Sequence, residues 1–254
     1  MGDRREVNWL IRDKYQGIEP YLMTKVQKIS FEDDVKRIEA GEPLAYVIGW
    51  INFLGCQIDL SKKPLIPRAE TEFWTSQFIS ECGGPTATFS TLDMFAGSGC
   101  SGIAVLKHIP NVHVTFIDID QMMLEQVKIN LKLNNIDDSR CTIIHSNIFS
   151  NVRMSYDYIL ANPPYISKND EEVQESVSKY EPAGALWSGG GGLEHIKKFL
   201  KEAREHLNLE GKIYMEFGSE QKMEVGEIIR DCEYSKWEFF RDQFDRDRYV
   251  VASL

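Results

Sequence analysis

No two cysteines in this chain are spaced as CxxC, and their number, five, is odd. A disulfide scaffold is therefore excluded, and free thiols in a reducing compartment are the simplest account. The five histidines form no HExxH-type pattern, so no metal site is expected. No apolar run approaches the roughly 18 to 20 residues that a membrane span needs. The first twenty residues mix acids with bases and lack an apolar core, unlike a signal or transit peptide. A soluble cytoplasmic protein is the resulting expectation. Lys/Arg-rich runs are also missing. The 39 acidic residues outnumber the 29 basic ones, for a formal net charge of −10. Such a balance disfavours tight, nonspecific binding to a phosphate backbone. No internal repeat occurs, and the four glycines at 189–192 are the only low-complexity stretch.

The chain has 254 residues, 43% of them hydrophobic and 27% charged, as in an ordinary globular protein. That length suits one domain plus a smaller appendage. Residues 1–45 read as helical, with Val26, Ile29, Val35 and Ile38 near helical spacing and Gly41 as a stop. Residues 46–60 turn aromatic and β-branched, with Gly49 and Gly55 as punctuation, which predicts a β-hairpin. Pro64 and Pro67 hold the next stretch extended, and Glu70 to Ile79 can run as a helix. From residue 88 onward strands alternate with helices. The helix at 121–135 carries Met123, Val127 and Leu131 on one face, and that at 193–207 carries Leu193, Ile196, Leu200, Ala203 and Leu207. This alternation predicts an α/β fold with a mostly parallel sheet covered on both faces. The two last strands lie too close together for a helical crossover and should pair antiparallel.

Two motifs carry chemistry. Phe95-Ala96-Gly97-Ser98-Gly99 follows the first strand of the α/β part, where glycines let the backbone turn tightly and approach a ligand. Asp118 closes the next strand, about twenty residues beyond the loop, where a carboxylate accepts hydrogen bonds from ribose hydroxyls. The P-loop pattern GxxxxGK[ST] is absent, so the loop suits a dinucleotide or S-adenosylmethionine. Asp120, close by, reads as the N-cap of the following helix.

The second motif, Asn162-Pro163-Pro164-Tyr165, follows an apolar strand and so falls where ligands bind in open α/β sheets. Its chemistry suits methylation of a planar NH2 group, whose lone pair is delocalised. Acceptors that hold both N–H bonds orient the nitrogen and let its lone pair localise toward a methyl donor. The Asn162 side-chain oxygen is one acceptor and the Pro163 carbonyl a second, aimed rigidly because Pro164 restricts Pro163 to extended conformations. Tyr165 can stack on the planar group or pack beside it. No strong base is needed before attack, so catalysis would rest on positioning and desolvation.

Phe95–Gly99, Asp118 and Asn162–Tyr165 together resemble a class I S-adenosylmethionine-dependent methyltransferase. Residues 41–72, with GEPLAYVIG and PLIPRAETE, resemble the HemK/PrmC family of peptide chain release factor glutamine methyltransferases. So do YEPAGALWSGGGGLEHIKKFL from Tyr180, MEFG at 215–218 and RDQFDRDRYVV at 241–251. The resemblance implies a Rossmann-like domain with a seven-stranded, mostly parallel sheet at 69–254. It implies a small helical N-terminal domain for substrate recognition at 1–45, joined through a β-hairpin and linker at 46–68. It implies N5-methylation of the glutamine in a release factor's GGQ motif, with S-adenosyl-L-methionine as donor and S-adenosyl-L-homocysteine as product.

Carried over by residue, Phe95, Ala96, Gly97, Ser98 and Gly99 would wrap the methionine part of the donor. Asp118 would hold the ribose, Asn147 and Ile148 would flank the adenine, and Asn162, Pro163, Pro164 and Tyr165 would hold the glutamine amide. Pro67, Arg68 and Glu70 belong to the interdomain motif, with Arg68 and Glu70 facing the substrate protein. An Arg68–Glu salt bridge between domains is an equal alternative. Two residues depart from the family. Phe95 stands where glycine is usual, so the loop must widen or the ring must pack away from the donor. Asn147 stands where an acid is usual, which leaves the adenine amine a neutral acceptor. The resemblance implies a release factor as partner. Nothing in the pattern demands a dimer, so a monomer is expected, and the charge balance and the lack of a long apolar run point to no direct contact with nucleic acid or membrane. The alternatives are an adenine-N6 methyltransferase of DNA or RNA, a ribosomal-protein glutamine methyltransferase, and a noncatalytic module that binds a translation partner.

Overall fold

A computed structural model describes residues 4–168, 170 and 173–254. Residues 1–3 of the first helical stretch lie outside the described residues. The amino-terminal part holds α1 (Arg4–Asp13), α2 (Lys25–Glu39) and α3 (Leu44–Ile48). Thr24 starts α2 with a capping box. Its hydroxyl accepts from the Gln27 N–H at 3.3 Å, and the Gln27 side chain accepts from the Thr24 N–H at 3.0 Å. Leu10, Tyr15, Met23, Ile38 and Val47 form a small core of their own. Val35 packs against it, but Val26 and Ile29 are exposed. Only the second half of the expected apolar stripe is therefore buried.

Residues 46–48 do not extend into the hairpin as expected. Pro43 presets the entry to α3, Val47 turns into the small core, and Gly49 ends the helix at φ 95°. The hairpin consists of β1 (Trp50–Phe53) and β2 (Cys56–Asp59), turned at Leu54 and Gly55 with φ of 47° and 75°. Two consecutive positive φ values match the tight turn whose twist suits paired strands.

The remaining elements are α4 (Ala69–Cys82), β3 (Ser90–Met94), α5 (Cys100–His108), β4 (His113–Asp118), α6 (Gln121–Leu133), β5 (Cys141–His145) and β6 (Tyr156–Ala161). After these come β7 (Ile166–Ser167), α7 (Glu175–Tyr180), α8 (Ala183–Leu186), β8 (Trp187–Ser188), α9 (Glu194–Ala203), β9 (Leu207–Glu216), α10 (Lys222–Asp231), β10 (Lys236–Arg241) and β11 (Asp247–Ser253). Seven strands form one sheet in the order β10-β11-β9-β6-β3-β4-β5. The five from β9 to β5 run parallel, and β11 is antiparallel to both of its neighbours. Leu207, assigned from the sequence to a helix face, instead begins β9. The short β7–β8 pair, α7 and α8 had no periodic signal to announce them, because each is six residues or fewer.

Both faces of the sheet are covered. Val114, Phe116, Leu160 and Tyr214 pack with α4, α5 and α6. Ile117, Ile159, Ile213 and Met215 pack with α9 and α10. This alternation along each strand is the period-2 geometry of a doubly covered sheet. The chain winds outward from β3 through β4 to β5, then returns to β6 on the other side of β3. The carboxyl ends of β3 and β6 thus flank a topological switch point, where such sheets open a crevice.

Candidate active site

The turn after β3 is held by backbone bonds to the next strand. Ala96 donates its N–H to the Ile117 carbonyl at 2.9 Å. Gly97 donates to Asp118 Oδ2 at 2.9 Å, and Asp120 donates its N–H to Asp118 Oδ1 at 2.9 Å. Asp118 is thereby clamped at the end of β4 with lone pairs to spare. Burial pushes its carboxyl up from the ordinary carboxylate range. Gly97 has φ 52°, and a Cβ there would meet only the Phe95 carbonyl oxygen at 3.9 Å. A side chain at this position would project into open space, so the bare backbone leaves room for a ligand. Gly99, at φ 76°, starts α5. Asp93, one turn of strand earlier, accepts from the Gly102 N–H at 2.9 Å, and burial lifts its carboxyl to about 7. Asp120 caps α6 by accepting from the Met122 N–H at 2.8 Å, as its position in the sequence suggests.

Phe95 adopts φ 61°, a left-handed conformation in which glycine is unstrained and a bulky side chain is not. Its ring lies 5.8 Å from that of Phe199 on α9, edge to face. One side of the ring thus packs against the core, while the residue remains half-buried and lines the cavity. Beyond β5, Asn147 is exposed and its Oδ1 accepts from Lys198 Nζ at 3.3 Å, while Ile148 is buried with φ 53°. Phe95 and Ile148 are both strained, and both face the same cavity, as strain at functional positions commonly does.

Asn162 and Pro164 close the other side. The Asn162 Nδ2 donates to Thr71 Oγ1 at 3.2 Å, and Thr71 donates to Glu216 Oε2 at 2.7 Å. Trp74 Nε1 also donates to that oxygen, at 2.8 Å, and the Tyr165 hydroxyl donates to Glu216 Oε1 at 3.0 Å. Burial pushes the Glu216 carboxyl up, while these donors and the charge of Arg248 pull it back. Pro163 is buried beside them. Arg68 lines the cavity and donates to Glu181 at 2.7 Å; Glu181 also accepts from the Ile66 N–H at 3.0 Å. Arg68 thus does form an ion pair with a glutamate, but it ties the linker to the YEP segment of the catalytic part and does not bridge the two domains. Glu70 points elsewhere and pairs with Arg246 at 2.8 Å.

One cavity of about 200 Å³ joins these pieces. It takes Phe95 to Ser98 from the end of β3, Asp118 from β4, Asn147 and Ile148 from β5, and Asn162 and Pro164 from β6. Gly99, Pro163, Tyr165 and Glu70 do not line it. Thr71, Trp74, Leu65 and His195, which do, were not singled out from the sequence. Thr71 and Trp74 lie three residues apart on α4, a spacing that turns both to one side, but nothing local indicates a target. An adenosine-bearing cation fits this cavity. Carboxylates stand at its glycine-turn end, Asp118 is fixed by two N–H bonds, and Gly97 leaves the wall open.

Comparison with known proteins shows what the chain is similar to. Residues 75–235 match the methyltransferase small domain family. The chain is 32% identical to the release factor glutamine methyltransferase of Francisella tularensis, over 88% of this chain and 78% of that one. It is 33% identical to the corresponding enzyme of Streptococcus pneumoniae, over 93% and 84%. It is also 30% identical to the ribosomal protein uL3 glutamine methyltransferase of Francisella tularensis, over 88% and 71%. Among solved structures, a methyltransferase from Pyrococcus furiosus superposes with a TM-score of 0.57 at 20% identity, covering 87% of this chain and 99% of that one. The hMettl16 catalytic domain does so with 0.59 at 17%, covering 79% and 76%. These two likenesses show the fold.

Proposed function

Because this chain belongs to the HemK/PrmC family of S-adenosylmethionine-dependent protein glutamine methyltransferases, we propose that it methylates the N5 nitrogen of the glutamine in the GGQ motif of a peptide chain release factor. The observation that carries this reading is the order of the cavity wall. Four adjacent parallel strands contribute, in sequence across the sheet, the Asn162 loop, the glycine turn, Asp118 and Asn147. A planar amide held at one end would then face a methyl donor held along the rest.

When bound, S-adenosylmethionine supplies an electrophilic methyl group on a sulfonium. Phe95 to Ser98 would shape the seat for its methionine part, with Gly99 turning the chain into α5 behind them, Asp118 would accept from its ribose, and Ile148 would offer an apolar surface to its adenine. Asn147 flanks that same end, with its oxygen occupied by Lys198. Asn162 Oδ1 and the Pro163 carbonyl accept the two N–H bonds of the substrate carboxamide, fix its plane and expose its lone pair. Pro164 keeps the Pro163 carbonyl aimed, and Tyr165 fixes the loop. The donor would supply the methyl group to the held nitrogen and leave as S-adenosylhomocysteine, and the extra proton on nitrogen would pass to water. Positioning and exclusion of water provide the acceleration.

The helical amino-terminal part at 1–45 recognises the substrate protein, and the segment at 46–68 joins it to the catalytic part at 69–254. Arg68 and Glu70 would meet the substrate protein where linker and catalytic part join, each held by an ion pair, with Glu181 and with Arg246. The enzyme acts as a monomer in the cytoplasm, without contacting nucleic acid, in keeping with a net charge of −10. The IPRAETE form of residues 66–72 favours a release factor over uL3 as substrate. The test is incubation of the protein with labelled donor and a purified release factor, followed by peptide mass spectrometry. One methyl group on the GGQ glutamine is expected. Methyl transfer to uL3 alone, or to nucleic acid alone, would contradict the assignment.

A further inference from the structure

Asn162 carries a carboxamide with two unlike ends. A substrate NH2 group is a donor, so it needs the oxygen end; the nitrogen end would set donor against donor. The shape of the side chain does not choose between them, because the two ends have nearly the same size. Something outside Asn162 must decide.

The network beneath it does so. Trp74 Nε1 is a donor with no acceptor capacity, so Glu216 Oε2 must act as an acceptor toward it, and the same oxygen takes the hydroxyl proton of Thr71. Thr71 has a single hydroxyl proton. Once that proton is given to Glu216, the Thr71 oxygen has only lone pairs to offer Asn162. Asn162 must then present Nδ2 to Thr71, as it does at 3.2 Å, and Oδ1 is the branch left for the cavity that Asn162 lines. Every member of this chain is fixed in place: Glu216 is 1% exposed, Thr71 3% and Trp74 1%. The other oxygen of Glu216 accepts from Tyr165, three residues beyond Asn162, so the same carboxylate grips the loop at a second point.

We propose that Thr71 and Glu216 are positioning residues that set which end of the Asn162 carboxamide meets the substrate nitrogen, with Tyr165 as the second hold on the loop. This inference rests on the glutamine reading above and deepens it. Direction runs along the chain from a buried acceptor to the reacting centre, and no proton needs to move.

Thr71→Val keeps the size of the side chain and removes the hydroxyl, and Thr71→Ser restores the hydroxyl without the methyl group. Methylation of a purified release factor is measured for both, alongside donor binding by calorimetry and the native protein as reference. For T71V, kcat should fall roughly tenfold to a hundredfold, with the donor Kd changed by less than about twofold. For T71S, kcat should return to within about threefold of the native value. Tyr165→Phe, which deletes only the oxygen, should lower kcat by about threefold or more at unchanged donor Kd. Full activity in T71V, equal slowing in T71V and T71S, or loss of donor binding in T71V would each overturn the inference, the last by showing a merely structural role. Unchanged kcat in Y165F would remove the second hold. A native protein that binds donor but methylates no glutamine would instead overturn the glutamine reading itself.

Discussion

Burial lifts the Asp93 carboxyl to about 7, well above the value of an exposed aspartate. The folded state therefore keeps a proton that the unfolded chain releases above about pH 4. The stability linked to this proton is fully present below that pH and is lost as the pH rises through 7, by up to about 1.4 kcal/mol per pH unit. Asp93→Asn retains an acceptor for the Gly102 N–H and cannot ionise. Its thermal midpoint should therefore fall less than that of the native protein between pH 5 and pH 8. Parallel curves for the two proteins would contradict this. At the cavity itself, Asn162→Ala should abolish transfer while the donor Kd stays within about threefold. Retained turnover would remove Asn162 from the chemistry. Asp118→Ala should weaken donor binding at least tenfold, about 1.4 kcal/mol, and unchanged affinity in calorimetry would move the ribose contact elsewhere. Asn162, Asp118 and the glycine turn could be found in the sequence because each sits in a short local pattern. Thr71 and Glu216 could not. They stand 91 and 145 residues from their partners, Thr71 from Asn162 and Glu216 from Thr71, and only the folded sheet brings them together.

At the scale of elements, α6 does two jobs with two faces. Val127 and Leu131 enter the core, as their spacing in the sequence foretells. Gln126, Asn130 and Asn134, at the same spacing on another side, pair with the hairpin as a neighbouring strand would. Asn134 exchanges bonds with the Gln57 backbone at 3.1 and 2.8 Å, and Asn130 does so with Asp59 at 2.8 and 3.2 Å. Gln126 accepts from the Lys62 N–H at 2.8 Å. The sequence hides this because buried amides count as polar in any periodicity reading. Asn130 Nδ2 also donates to the Ser98 carbonyl at 2.9 Å, which ties the hairpin to the glycine turn. Asn130→Ala should therefore lower stability by about 2–4 kcal/mol in denaturant titration and weaken donor binding as well. A stability loss with donor affinity unchanged would show that the tie to Ser98 does not shape the donor seat.

At the scale of the whole molecule, the amino-terminal helices keep a core separate from the two faces of the sheet. They meet the rest through Ala45 and Tyr46 of α3, which pack on the core of the α/β part, and through polar contacts. The Tyr46 hydroxyl donates to the Pro64 carbonyl at 2.6 Å, and the Tyr180 hydroxyl to the Ala40 carbonyl at 3.0 Å. Alternating strands and helices make the α/β body and its antiparallel finish legible in the sequence. The amino-terminal part was harder to read, because a core this small leaves residues such as Val26 and Ile29 exposed and blurs its periodicity. Its proposed role is to bring a protein substrate to a cavity that already holds the chemistry. The most direct test is to incubate the native protein and Asn162→Ala with labelled donor and an equimolar mixture of release factor and uL3. The account predicts a single methyl group on the GGQ glutamine, made by the native protein and absent with the variant. Methyl transfer to uL3 in preference, or equal labelling by both proteins, would contradict it.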